Sequence, residues 1–182
     1  MSSNTISLAR DRRKNLVRIA QLTAFLTLPT AVYDVYLGLV NGVTNRSVFF
    51  FLAAAVLFIL FFASIVIIRS RHAEKTTFGT WHLLIPLSIT FLLSSALQSN
   101  VGAEMGMAFM IISIVVSIQT LPPKQVLRGA ILGAVVSLLT SLLAFYSPLP
   151  QEVDPRIDTV TIWIARGTTV VILALPWDSF VQ

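Results

Sequence analysis

The chain has no cysteine. That removes disulfides, thiolate metal sites and cysteine nucleophiles. Histidine is almost as scarce, with His72 and His82 the two in 182 residues. Haem ligation needs axial ligands on either side of the iron, normally from different helices, and these two share one short stretch. No cofactor and no metal site is expected. Charge is also sparse, at 12% of residues against about 25% in soluble proteins. No nucleotide loop, catalytic triad, zinc motif or catalytic carboxylate pair is found. The chain by itself is not expected to be an enzyme.

What is there is apolar sequence in long runs. Residues 48–68 are 21 consecutive positions of Val, Phe, Leu, Ala, Ile and Ser without a charge. At about 1.5 Å per residue such a run spans the ~30 Å hydrocarbon core of a bilayer. Similar segments lie near 17–40, 79–98, 102–120, 125–146 and 158–176. Backbone groups in lipid must be satisfied within the segment, so these runs read as helices. The expected fold is all-α, a polytopic membrane protein built as a six-helix transmembrane bundle. A basic segment, 1–16, precedes the bundle at 17–176, and 177–182 reads as the start of a longer cytoplasmic tail.

Charge placement sets the expected topology. With the N-terminus cytoplasmic, the inner joints hold Arg10, Arg12, Arg13, Lys14, Arg18, Arg69, Arg71, Lys75, Lys124 and Arg128. The outer joints hold Arg46 and Arg156. Ten against two is a strong positive-inside bias and puts both termini in the cytoplasm. The net charge of +5 is thereby explained by topology, and a nucleic-acid partner is not expected. The lipid bilayer of a bacterial inner (plasma) membrane is the expected surrounding.

Ionisable residues within membrane helices are costly and are usually paired or functional. Asp34, Glu104 and Arg166 are the three here. Helical side chains lean toward the helix N-terminus. Asp34 then leans inward and Arg166 outward, so the two approach in depth and form the expected intramembrane ion pair. That pair either fixes packing or belongs to a polar cavity or ion path. Tyr33, Gln98, Glu104 and Trp163 lie near one level and could line a pocket opening outward. An aromatic belt with polar helix caps is the plainer account.

Gly129, Gly133, Ser137 and Ser141 repeat a small residue at every fourth position, and Gly102 and Gly106 do the same earlier. Small stripes let helix backbones approach closely. The stripe is expected to be a helix-packing seam, either inside the bundle or between two copies. The run 48–68, apolar all round and rich in Phe, is expected to face lipid or a larger membrane subunit.

A basic start (Arg10-Asp11-Arg12-Arg13-Lys14), six helices with minimal joints and a last helix with Trp163-x-x-Arg166 resemble the N-terminal membrane sensor regions of bacterial histidine kinases and related signalling proteins. The resemblance is architectural and covers the whole chain. It implies an input domain that detects a small ligand and passes a signal through the last helix to a cytoplasmic output region. The chain is also similar to small substrate-binding subunits of vitamin transporters, on Ala20 and Ala24 in the first helix. An accessory subunit of a larger membrane complex is the third reading.

Overall fold

The structure, a computed structural model, describes residues 3–42, 44–70, 76–97 and 102–146. These residues form five helices: α1 (Ser3–Val40), α2 (Asn45–Arg69), α3 (Thr76–Leu97), α4 (Gly102–Thr120) and α5 (Pro123–Phe145). There is no strand among the described residues. The fold is all-α. Four of the helices are long and apolar enough to cross a membrane, and α4 contributes a shorter apolar stretch, Glu104–Thr120. The expected sixth helix, 158–176, lies outside the described residues.

The helix starts and stops follow from local chemistry. Helix α1 begins well before the apolar run, because Arg, Lys, Ala and Leu are good helix formers and carry it through the basic segment. It ends at Asn41, whose amide Nδ2 donates to Leu37 O at 2.7 Å, and at Gly42, whose φ of +66° suits glycine. Helix α2 starts with a reciprocal capping box. Ser47 N donates to Thr44 Oγ1 at 3.2 Å, and Thr44 N donates to Ser47 Oγ at 3.1 Å. Its far end is closed by another helix: the Arg13 guanidinium on α1 donates to Ile67 O and Ser70 O. Helix α5 opens with Pro123 at its first position, where a missing N–H costs nothing.

Pro29 and Pro86 lie inside α1 and α3. Each removes one donor from the ladder and relieves a carbonyl of its partner, but both helices continue. Serine and threonine hydroxyls bond back to the preceding turn nearby, as Thr30 does to Leu26 O and Thr90 to Pro86 O.

The helices pack as two antiparallel pairs, α1 with α2 and α4 with α5, and α3 touches all four others. The main core joins Leu16, Ile19 and Ala20 of α1, Leu60 and Ile67 of α2, Leu83 and Leu84 of α3, and Ile112, Val115 and Val116 of α4. These positions all fall in the half of the bundle nearer the start of α1. Arg10, Arg12, Arg13, Lys14, Arg18, Arg69, Lys124 and Arg128 lie at that same end, which we call the basic end. A smaller cluster at the opposite end joins Leu37, Phe50 and Leu97, with Tyr33 and Phe49 against it.

Helix α2 refines the expectation for 48–68. Its Ala53, Ala54, Leu57, Leu60, Ser64 and Ile67 are buried at helical spacing, while Phe51, Ile59, Phe62 and Val66 are exposed. The apolar run therefore has an inner and an outer face. The small residues Ala53, Ala54 and Ser64 mark the inner one.

Candidate functional site

Two regions hold the residues singled out in the sequence. The first is the seam between α4 and α5. Glycine there is a geometric need. A Cβ on Gly129 would lie 1.8 Å from Ser117 Oγ, one on Gly106 would lie 2.2 Å from Thr140 Oγ1, and one on Gly133 would lie 3.1 Å from Ser113 Cβ. These pairs step in opposite directions along the two helices, which is an antiparallel register. Ser113 Oγ donates to Gly129 O at 2.7 Å, a bond between helices that needs the missing side chain. Ser137 brings its backbone against Gly106, and Ser141 Oγ donates to Ser137 O at 2.9 Å on the half-buried flank. The seam thus lies within the bundle. Thr140 on α5 and Ser113 and Ser117 on α4 complete it, and the four-residue spacing of the two serines was its unread signal.

Thr80 and Thr120, both fully buried, tie α3 to α4 near the basic end through a 2.9 Å hydroxyl bond. Each hydroxyl also reaches its own preceding turn, at Thr76 O and Val116 O. The indole Nε1 of Trp81 is 3.4 Å from Gln125 Oε1 and links α3 to α5 at the same level. These polar contacts add direction to a region already closed by apolar packing.

The second region is at the opposite end, around Asp34. Helix α1 buries Ala20, Ala24, Thr27 and Ala31, and that spacing runs on through Asp34 to the buried Gly38. Asp34 is therefore on the interior stripe of α1, half-buried, and it has no ionic partner among the described residues. Tyr33 beside it is half-buried in the small cluster and stacks on the exposed Tyr36, with ring centroids 6.4 Å apart. Gly38 lets the ring of Phe51 come close, since a Cβ there would be 2.9 Å from it.

Heights along the bundle can be compared from shared contacts. Leu16 meets Gly79 near the basic end, and Thr80 meets Thr120. Counting up from these, Asp34, Ser95 and Glu104 fall within about 3 Å of one level on α1, α3 and α4. Ser95 is fully buried and its hydroxyl has no hydrogen-bond partner among the described residues. Most other buried helical hydroxyls bond to a backbone carbonyl; Ser95 and, at the α4–α5 seam, Ser117 are the exceptions, and neither stood out in the sequence. Glu104 lies exposed in the first turn of α4. Gln98, Trp163 and Arg166 lie outside the described residues, and so does the expected Asp34–Arg166 pair. His82 is exposed, with its ring 3.8 Å from that of Phe78.

Among the described residues no cluster of three His, Asp or Glu side chains could hold a metal. The arrangement places a carboxyl group and an unmatched hydroxyl at one level of an apolar bundle. No protein-family model, curated protein or solved structure matches this chain.

Proposed function

We propose that the chain is a membrane-embedded sensory input domain, a bundle of six helices with both termini cytoplasmic. A small ligand is detected in the half away from the basic end and the signal leaves through the segment 158–176. The observation that carries this reading is the asymmetry of the interior. The basic half holds a core of ten buried apolar side chains from four helices, whereas the ionisable Asp34 lies on the interior stripe of α1 in the other half, at the level of the buried Ser95. An ionisable group at such a place marks a functional site by default. Arg166 is its proposed counter-charge and Tyr33, Gln98, Glu104 and Trp163 its proposed surroundings. The partners are the bilayer, an unknown small ligand and a second copy or a larger membrane subunit.

A ligand acts only through a difference in affinity for two arrangements. A disturbed Asp34–Arg166 contact should therefore change the resting balance. The test is a dimerisation-sensitive reporter fused after Gln182, comparing the unaltered chain with Arg166→Gln. Altered resting output at equal expression supports a signalling role. Identical output from a folded mutant leaves 158–176 structural and favours an accessory subunit. A solute-binding subunit is the second reading, favoured by the small stripe Ala20, Ala24, Thr27 and Ala31 on α1.

A further inference from the structure

One face of α1 joins two chemistries that no part of the interior uses. Arg10, Lys14 and Arg18 are all exposed and succeed one another every four residues. Farther up the same face come Gln21, then Phe25, Leu28 and Val32, all exposed, with Phe25 76% accessible. With 3.6 residues per turn, Arg10 to Val32 fall within an arc of about 80°. The ladder is separate from Arg13, which points elsewhere on the helix and closes the end of α2. Arg10 and Arg18 have no hydrogen-bonded or ionic partner among the described residues. Lys14 has only the exposed Asp11 carboxylate at 3.6 Å.

We infer that this face is a binding site for an anionic phospholipid. The match is one of charge and of length together. The head group phosphate would sit against the Arg18 and Lys14 side chains. The acyl chain would lie along Phe25, Leu28 and Val32. Those residues rise about 21 Å above Arg18, the reach of one leaflet and the bilayer centre. Long basic side chains suit this place, because their stems lie on apolar surface while their charges stay at the head-group level. A soluble anion would meet the charges but leave the apolar strip unused. A zwitterionic lipid would fill the strip but gain little from three cations.

The absence of cysteine makes the test direct. A single Gln21→Cys carries a fluorophore on the ladder face, and Phe62→Cys carries it on the exposed face of α2. Each labelled protein is reconstituted in vesicles containing brominated phosphatidylglycerol or brominated phosphatidylcholine with the same chains. At Gln21 the anionic lipid should quench more strongly, with a preference of up to roughly fivefold per basic residue engaged at low salt. At Phe62 the two lipids should quench nearly alike. The combined Arg10→Gln, Lys14→Gln and Arg18→Gln change should abolish the preference, while Arg10→Lys with Arg18→Lys should keep it. If the glutamine variant inserts poorly, high salt applied to the Gln21→Cys protein removes the same charge interaction without a substitution. Equal preference at both probe sites would overturn the proposal. So would full displacement of the lipid effect by inorganic phosphate at matched ionic strength, which would make the ladder a general anion site.

Discussion

The hydroxyl of Ser117 occupies the place where a side chain on Gly129 would begin, 1.8 Å from the Cβ that glycine lacks. Here the Ser117 side chain of α4 lies against the backbone of α5. Gly129→Ala should therefore cost about 1–3 kcal/mol through overpacking, and it should weaken the Ser113–Gly129 bond as well. Unfolding of the purified protein by a denaturing detergent measures it. Adding Ser117→Gly should recover much of the loss, because it vacates the contested space. A double variant as unstable as the two singles combined would mean that the strain lies elsewhere.

Arg13 is set apart from its basic neighbours by its two bonds to the end of α2. Hydrogen bonds from a charged donor are worth about 1.5–3 kcal/mol. Arg13→Gln should destabilise the α1–α2 pair by that order, and Arg12→Gln by no more than about 0.5 kcal/mol, as for an ordinary surface change. Faster hydrogen exchange at residues 66–70 in the first variant and not the second is the expected signature. Equal exchange in both would show that the cap is dispensable.

Not all of this was legible beforehand. The apolar runs marked α2 to α5 to within a few residues, since hydropathy changes sharply where a helix leaves lipid. The start of α1 was not marked, because a helix that continues in water keeps its propensity but loses its apolar signal. Gly129 and Gly133 announced a close approach, but a small stripe shows nearness without naming the neighbour. The role of Arg13 was hidden for a related reason. Charge counting treats every basic residue near a helix end alike, and only the folded pair shows which one reaches across. The inner face of α2 was equally obscure, as an all-round apolar helix leaves only its small residues to show direction. Asp34 stood out as a lone acid in an apolar run, whereas Ser95 is one of many serines, and its burial without a partner, shared with Ser117, shows only in the fold.

The proposed Asp34–Arg166 pair has a plain stability test. Removing one member of a buried pair leaves a charge without compensation and costs about 3–5 kcal/mol. Asp34→Asn and Arg166→Gln should each lower stability by that order, and the double variant should recover much of it. If the double variant loses the sum of both, the two residues do not meet.

Topology can be read independently of any site. Reporter fusions after Val43, Glu74, Asn100, Lys124 and Asp154 should alternate outside, inside, outside, inside and outside, as the positive-inside bias requires. Two successive fusions reporting the same side would remove the six-helix arrangement.

The uneven core gives the bundle the mechanics of a clothes-peg. Among the described residues, parting the helices at the basic end means separating ten buried apolar side chains drawn from four helices, and breaking the Thr80–Thr120 bond as well. Parting them at the other end disturbs the smaller cluster of Leu37, Phe50 and Leu97, with the buried Ala96, Met105 and Phe109 near it. Apolar burial is worth roughly 25 cal/mol per Å², so among the described residues the larger cluster makes parting costlier at the basic end. Because α3 touches both helix pairs, it is the spring between the two jaws. A molecule wedged at the level of Asp34 and Ser95 would open the jaws about a closed hinge.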